Sequence, residues 1–170
     1  MTKNGSRDVR LGNVSANVST PEHVQALKEE AHARGVELSI FPARRPEEIT
    51  PAMNEARASG IQALNVLATP MFYFNRHTVI VHAAALRLPA VYQWPEMAEE
   101  GGLVGYGPRI TQWYRQLARL LAKVLRGAKP DDIPVEQPIQ FELVINLQTA
   151  KAIGHDVPAG LVLRADKVIE

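Results

Sequence analysis

Aromatic side chains cluster in two short segments that each follow a predicted strand, and they are the residues best suited to hold a ligand. Residues 72–74 (Phe, Tyr, Phe) form the first segment, and Tyr92 with Trp94 forms the second. The polar side chains beside the second segment are Gln93, Glu96, Glu99 and Glu100. Rings with a few polar groups make a small-molecule pocket, in which a carboxylate would bind the amine of a zwitterion. The equal alternative places Phe72 and Phe74 in the core and Trp94 over a loop.

A glycine-rich stretch at residues 99–109, EEGGLVGYGPR, is the second feature that suggests a ligand. Its glycines permit close approach of the backbone, and it ends where a long helix is predicted to begin. The free N–H groups of that helix end would bind an anion such as a carboxylate. The spacing is not G-x-G-x-x-G, so an equal alternative is that the glycines only form turns. Arg115, Arg119 and Lys123 recur every four residues on the helix, which favours a solvated face over a phosphate-binding surface.

No catalytic or metal-binding constellation is found in the sequence. Its five histidines show no HExxH spacing, and it contains no cysteine. The missing thiols exclude a thiolate nucleophile and a Cys-ligated metal. There is also no G-x-S-x-G elbow and no Walker glycine loop. The sequence therefore predicts a protein that is not an enzyme and that uses neither a metal nor a cofactor.

Length, charge and hydropathy narrow the class of protein further. The chain has 170 residues, of which 46% are hydrophobic and 22% charged, as expected for one globular domain or two small lobes. A formal net charge of +1 creates no global field toward nucleic acid, so no nucleic-acid partner is predicted. The most apolar stretch, residues 78–92, is interrupted by His82, Arg87 and Pro89, which argues against insertion into a membrane.

The first half of the chain alternates β-branched runs with amphipathic helices, the pattern of an α/β sheet. Strands are predicted at residues 9–14, 36–41, 62–67 and 89–92. Helices are predicted from Pro21, from Pro46 or Thr50, and over 75–87; Pro51 means that the second helix either kinks or begins at Thr50. Such repeated β-α-β units predict a parallel sheet with helices on both faces and ligands at the carboxyl ends of the strands.

The second half predicts a different organisation. A short strand at 103–106 leads into a helix over 109–126 with a wide apolar face, which something must cover. A linker rich in proline and acid follows, then a strand at 141–146, a short helix at 149–153 and a last helical segment from Ala159. The chain is therefore divided into a flexible tail at 1–8, an α/β lobe at 9–102, and a segment at 103–170 that packs on or between lobes.

Three stretches of sequence carry a family resemblance from Val9 onward. They are LPAVYQWPEMAEEGGLVGYGP, GAKPDDIPVEQPIQFELVINLQTAKAIGHDVP and the closing LRADKVIE. In this order they resemble the carboxyl-terminal half of ABC-transporter substrate-binding proteins related to the tryptophan and branched-chain amino-acid binders. The resemblance implies the Rossmann-like second lobe of a type I periplasmic binding protein, with segments that return to the first lobe. It also implies a small solute such as an amino acid, an ABC permease as partner, a periplasmic location and no catalysis.

Full members of that family carry an export signal or lipid anchor and an additional lobe before the position of Val9. The first 14 residues here lack an apolar signal core and a cleavage site, so a cytoplasmic location is expected if the sequence is complete. The long helix would then lack its usual cover, and a second copy is predicted to supply it in a homodimer or through a segment exchange. Two alternatives stay open: a cytosolic ligand-sensing regulatory domain of the same fold, and a remnant that binds nothing.

Residues of the ligand cleft follow from the same resemblance. The family's cleft loops correspond to residues 14–19, 69–73 and 93–102 of this chain. Relatives often have Asp-Pro or Asp-Asn after the third strand, where this sequence has Thr69-Pro70, so no amine-binding role is assigned there. The predicted ligand-binding residues are Ser15, Asn17, Tyr73, Gln93, Trp94, Glu100, Gly101 and Gly102.

Overall fold

A single mixed sheet of seven strands organises the computed structural model, which describes residues 9–15, 21–136 and 140–170. The strands are β1 (Val9–Ser15), β2 (Val36–Pro42), β3 (Ala63–Val66), β4 (Ala90–Tyr92), β5 (Val104–Gly107), β6 (Glu142–Asn146) and β7 (Lys167–Ile169). Their order across the sheet is β2-β1-β3-β4-β5-β6-β7. Strands β1 to β5 run parallel, β6 is antiparallel to β5, and β7 is parallel to β6. The predicted α/β class with a largely parallel sheet is confirmed, whereas β7 was not predicted.

Eight α-helices and two short 3-10 helices connect the strands in the described ranges. The α-helices are α1 (Pro21–Ala33), α2 (Ile49–Ala58), α3 (Pro70–Phe74), α4 (Arg76–Ala85), α5 (Pro95–Glu99), α6 (Ile110–Leu125), α7 (Leu147–Ile153) and α8 (Ala159–Val162). The 3-10 helices are Pro46–Glu48 and Pro130–Asp132. The structure corrects the prediction that residues 68–74 and 93–102 are loops, since each contains one helical turn or more. A proline stands at the first position of both α3 and α5, where it favours a helix start.

The helix after β2 shows how the chain accommodates Pro51. A 3-10 turn at Pro46–Glu48 comes first, and α2 begins immediately after it at Ile49. Pro51 therefore lies in the first turn of α2, where no intrahelical partner for its missing N–H is needed. Of the two alternatives left open by the sequence, a start near Thr50 is correct to within one residue.

Two apolar clusters form the core on the sheet. The larger contains β1 to β4 residues such as Val14, Leu64 and Val66 packed against helix residues such as Met53 and Val79. The smaller joins β5, β6 and α7 through Leu103, Val104, Ile145, Ala150 and Ile153. Because buried apolar area is the main stabilising term in folding, these clusters fix the sheet that carries the loops at its carboxyl edge.

Helix α6 is the exception to this packing. Within it only Ile110 is buried, while Leu121 is 55% and Leu125 78% exposed. We define the α6 face as Trp113, Tyr114, Leu117, Leu121 and Val124, all of which are exposed large apolar side chains. None of the helices in the described ranges is both long and apolar enough to cross a membrane.

Candidate ligand-binding site

A cavity of about 230 Å³ lies at the carboxyl ends of β3 and β4. We call it the aromatic pocket, and its lining residues are Ala68, Thr69, Pro70, Tyr73, Phe74, Trp94, Ile110, Trp113 and Tyr114. The first three of these follow β3, Trp94 follows β4, and the last three begin the helix after β5. The aromatic pocket therefore occupies the edge at which parallel α/β sheets bind their ligands.

The turn after β3 is fixed by a helix cap. The Thr69 side chain is buried, and its Oγ1 accepts a hydrogen bond from the Phe72 N–H at 3.1 Å. Phe72 is 1% exposed and anchors α3 in the core. With Phe72 turned inward, its neighbours Tyr73 and Phe74 line the aromatic pocket. The sequence offered core and pocket as alternatives for these rings; Phe72 belongs to the core, whereas Phe74 is largely exposed and Trp94 lines the pocket.

Edge-to-face contacts join the rings of the aromatic pocket. The Tyr73 ring centroid lies 5.9 Å from that of Trp94, with an angle of 71° between the planes. Tyr73 also contacts Phe74 at 6.1 Å and 70°. On α6, the Trp113 and Tyr114 centroids are 5.4 Å apart. The two contacts of Tyr73 match the positive edge of one ring to the negative face of another, whereas the Trp113 and Tyr114 rings are tilted by 59°.

Arg76 and Glu100 form an ion pair beside the pocket. The Arg76 Nε donates to both carboxylate oxygens of Glu100, at 2.9 and 2.7 Å, and its guanidinium carbon lies 4.8 Å from the Tyr73 ring centroid. Burial raises the pKa of the Tyr73 hydroxyl above its usual value, Arg76 opposes that rise, and Glu96, Glu100 and Tyr114 add to it. Glu100 is thus already paired with a cation of this chain. Arg76 was not selected from the sequence, which has no signal for a pair 24 residues apart.

Two polar atoms of the segment after β4 are buried without a hydrogen-bond partner among the described residues. They are Nε1 of the Trp94 indole and Oε2 of the Glu96 carboxylate. The other oxygen of Glu96, Oε1, accepts from the backbone N–H of Ile110 at 3.0 Å. Glu96 therefore caps the start of α6 with one oxygen. Its second oxygen and the indole N–H of Trp94 are therefore exceptions among the described residues, since buried polar groups are normally satisfied.

A network of four charged side chains fixes the junction between β5 and α6. Arg109 donates from Nη1 to Glu99 at 2.8 Å and from Nε to Glu142 at 2.7 Å. Lys167 donates to the other oxygen of Glu99 at 2.8 Å. The hydrogen bond from Arg109, joined by that from Lys167, lowers the pKa of Glu99 to about 2 against the opposing effect of burial. The carboxylates of Glu99 and Glu142 in turn raise the pKa of Arg109. Because these residues come from α5, β6 and β7 as well, the network ties the start of α6 to the sheet.

The predicted ligand residues fall into distinct places. Tyr73 and Trp94 line the aromatic pocket, and Glu100 pairs with Arg76 next to Tyr73. Gln93 follows β4, and its Nε2 lies 3.5 Å from Oδ1 of Asn65. Ser15 is the last residue of β1, and Asn17 lies outside the described residues. The contacts of Gln93 and Glu100 are with this chain, so their roles toward a ligand stay predictions.

Gly101 and Gly102 do not line the aromatic pocket. They border a separate small cavity of about 10 Å³ between β4, α4 and α7. A Cβ on Gly102 would lie 2.5 Å from the Tyr92 ring, and one on Gly107 would lie 2.0 Å from the carbonyl oxygen of Gln93. Close packing against the Tyr92 ring thus accounts for Gly102, and close packing against the Gln93 backbone accounts for Gly107. The assignment of Gly101 and Gly102 as ligand residues stays a prediction.

Sequence reasoning missed part of the site. Phe74 was considered in the first aromatic segment but not selected, and Trp113 and Tyr114 lie on the long helix, for which the sequence predicted only an apolar face that something must cover. The available signal was their position at the start of a helix that follows a strand end, because all such ends share one edge of a parallel sheet. No group of three or more His, Asp or Glu able to hold a metal ion occurs in the described part of the chain.

A family model described as ABC transporter substrate binding protein matches residues 11–169. The chain belongs to this family, and the resemblance seen in its sequence is confirmed. No curated protein matches the chain in sequence.

Solved structures share the fold at low sequence identity. An ABC domain from Streptococcus pneumonia, solved in complex with L-Trp, has a TM-score of 0.79 at 22% identity, over 95% of this chain and 56% of that one. A conserved domain protein from Vibrio cholerae has a TM-score of 0.79 at 21% identity, over 94% and 54%. A ligand-free, open substrate-binding protein with adhesive properties from Clostridium difficile has a TM-score of 0.64 at 18% identity, over 96% and 55%. This chain spans about half the length of these structures.

Proposed function

We propose that this chain is all or part of the solute-binding component of an ABC uptake transporter, and that it holds a small molecule in the aromatic pocket. The observation that carries the proposal is the pocket itself, in which five aromatic rings converge at the ligand-binding edge of an α/β sheet. An amino acid is the solute we propose first, because one neighbour in fold was solved with L-Trp. An ABC permease is the proposed partner and the periplasm the proposed location, both on the basis of family membership.

We assign residues 9–102 to one lobe and propose that α6 faces a second lobe. Trp113 and Tyr114 belong both to the aromatic pocket and to the α6 face, so the pocket continues directly into exposed apolar surface. A solute held there would be covered on one side only. In this proposal the second wall of the cleft comes from a second lobe or from a second copy of the chain.

A homodimer is the form we propose for the isolated chain. The α6 face is free of charged groups, whereas Arg115, Arg119 and Lys123 lie on the opposite side of the helix, as 100° per residue requires. Two such faces can pack together with their cations directed outward to water. Burial of a large apolar side chain contributes about 1.5–3 kcal/mol, so a few pairs suffice for association.

Thermal unfolding in the presence of amino acids tests solute binding. A ligand that binds only the folded state stabilises it by about 2.7 kcal/mol at a concentration 100 times Kd, and this stabilisation raises Tm. We expect at least one amino acid to raise Tm of the native chain and to leave Tm of the Trp94→Ala variant unchanged. Phe141→Ala is the matched control, since Phe141 is an exposed ring paired with Tyr106 and does not line the pocket.

The control variant should respond to the amino acid as the native chain does. If no amino acid shifts Tm of either protein, the proposed function is wrong for this chain. If Trp94→Ala responds like the native chain, the solute binds elsewhere.

A further inference from the structure

We propose that α6 carries a docking surface for anionic phospholipid membranes. The surface is a row of four exposed cations, Arg115, Arg119, Lys123 and Arg126, which we call the basic row. Their spacing of four, four and three residues places them on one side of the helix. That side is opposite the α6 face, whose first two residues line the aromatic pocket. The basic row is therefore separate from the proposed solute site and adds a second interaction to the protein.

The carboxylates of the described chain leave most of the basic row unpaired. Arg115, Arg119 and Arg126 form no ion pair among the described residues. Lys123 lies 3.6 Å from Glu136, but both side chains of this pair are open to water, so the pair contributes little. Helix α6 itself contains no acidic residue that could pair with the row from a neighbouring turn. The row therefore presents at least three uncompensated positive charges beside α6.

The stability of the helix explains only part of the basic row. Lys123 and Arg126 lie at the carboxyl end of α6, where cations interact favourably with the helix dipole. That effect is confined to the last turn, so it does not account for Arg115 in the second turn or Arg119 in the middle of the helix. The sequence alone favours a solvated face here. Two arginines that neither the dipole nor a carboxylate explains point instead to an anion outside the chain.

The charge of the chain is unevenly distributed, although the net charge is only +1. Residues 109–136 contain six basic and three acidic residues, which gives this segment a formal charge of +3. The remaining 13 basic and 15 acidic residues give the rest of the chain a formal charge of −2. A negatively charged surface attracts the first part and repels the second, so it orients the molecule with the basic row toward itself.

The shape of α6 favours a flat partner. Only Ile110 of this helix is buried, so α6 protrudes from the sheet along most of its length. From Arg115 to Arg126 the basic row extends about 16 Å at 1.5 Å per residue. Guanidinium groups match the geometry of phosphate oxygens with paired hydrogen bonds. A straight row of this length on a convex element can reach several lipid phosphates that lie in one plane.

The rings of α6 favour a lipid surface over a nucleic acid. Proteins that bind single-stranded nucleic acids combine a positive groove with aromatic side chains on which bases stack. On α6, Trp113 and Tyr114 belong to the α6 face, on the side away from the basic row. For the same reason, a second lobe or a second copy that covers the α6 face leaves the basic row exposed. Docking on headgroups thus requires no insertion of apolar side chains into the membrane.

Flotation with lipid vesicles tests the proposal on the native chain. One set of vesicles contains phosphatidylcholine only, and the other contains equal parts of phosphatidylcholine and anionic phosphatidylglycerol. We expect the protein to float with the second set and not with the first, because each cation near an anionic surface strengthens binding roughly fivefold. Added salt should release the protein, since it screens charges that are exposed to water.

A triple variant of the basic row, Arg115→Gln, Arg119→Gln, Arg126→Gln, measures the contribution of its unpaired cations. Glutamine keeps a high helix propensity, so α6 should remain helical. Removal of three such charges should weaken binding to the anionic vesicles by roughly 100-fold. Thermal unfolding without lipid confirms that the variant is folded, and the salt dependence of the native chain gives a second measurement that needs no variant.

The matched control removes the same charge from other surfaces of the chain. It replaces three exposed arginines that form no ion pair among the described residues and lie outside α6, in Arg44→Gln, Arg57→Gln, Arg164→Gln. Both triple variants have the same net charge. The control should float with the anionic vesicles as the native chain does, because its basic row is intact.

Four results would overturn the proposal. Equal binding to both sets of vesicles, or binding that persists in high salt, would indicate insertion of apolar side chains. Equal loss of binding in the two triple variants would indicate a response to net charge alone. Retention by polyglutamate but not by anionic vesicles would assign the basic row to an acidic protein. Native protein that binds neither set of vesicles would also contradict it, while the amino-acid stabilisation experiment, performed without lipid, separately decides the proposed function.

Discussion

Glu99 carries more charge interactions than any other carboxylate in the network at the start of α6. It accepts hydrogen bonds from Arg109 and Lys167, and these hold its pKa near 2, below the ordinary value of 4.5. A carboxyl group with a pKa lowered on folding stabilises the folded state above its unfolded pKa, and this contribution is lost as the pH falls toward the folded pKa.

We therefore expect the free energy of unfolding to fall by about 2 kcal/mol between pH 4.5 and pH 2 through Glu99. Urea unfolding of the native chain and of Glu99→Gln at several pH values measures this contribution. The difference in stability between the two proteins should be largest above pH 4.5 and should shrink toward pH 2. A difference that is independent of pH would show that the carboxylate does not act through its charge.

A substitution of Gly107 tests the close approach of two backbone segments at the end of β5. A Cβ there would lie 2.0 Å from the carbonyl oxygen of Gln93, a distance that requires the backbone to move. We expect Gly107→Ala to lower the free energy of unfolding by more than about 2 kcal/mol in urea titrations.

Gly160→Ala is the control for this substitution. No atom of the described residues lies within 4 Å of a Cβ at Gly160, and the residue is part of α8. Its replacement should change stability by less than about 1 kcal/mol, and in the stabilising direction. Equal losses in the two variants would contradict the explanation from close packing.

Among the described helices, α6 is the one whose apolar sequence pattern fits its exposed surroundings least. Its apolar residues follow the period of an amphipathic helix, yet the α6 face is exposed in the chain alone. Helices of globular proteins bury such a face against another element. We therefore propose that the α6 face is covered by residues outside the described part of one copy.

Self-association of the chain should depend on the α6 face. We expect the native protein to form dimers at micromolar concentration and the double variant Leu117→Gln, Leu121→Gln to dissociate at least about 100-fold more readily, because it removes apolar area from both copies. Sedimentation velocity over a range of concentrations measures this. Arg119→Gln, on the charged side of α6, is the control and should sediment as the native protein does. A native chain that is monomeric at high micromolar concentration would contradict the prediction.

The elements that the sequence predicted well are those whose signal is local. The strand that became β1 and the helix that ends before Gly35 follow from alternation, a proline start and a glycine with φ of +67° after the helix. Strand β7 has three residues, and among the described strands it pairs with β6 alone, so its stability comes from a distant segment. The antiparallel direction of β6 depends likewise on pairing with β5, which no local pattern records.

The candidate site, like the fold, was predictable from the sequence only where the signal is local. Tyr73 and Trp94 follow strands, and strand ends define the ligand edge of the sheet. The contribution of Trp113 and Tyr114 required knowing that α6 begins beside that edge. The pairing of Glu100 with Arg76 required knowing where α4 starts relative to α5.

The whole chain, built on one seven-stranded sheet, spans about half the length of the solved structures that share its fold. The aromatic pocket lies at the carboxyl edge of this sheet and opens onto the α6 face. Site and uncovered helix thus belong to one continuous surface. We predict that whatever covers α6 also completes the pocket around the solute.

Native mass spectrometry of the purified protein with a mixture of amino acids tests whether the aromatic pocket binds the solute, because it reports bound solute and subunit number together. We expect one small molecule bound per chain in the native protein and in Phe141→Ala, and none in Trp94→Ala. Native protein that stays free of solute throughout, or Trp94→Ala that carries as much solute as the native chain, would contradict the assignment of the aromatic pocket as the solute-binding site.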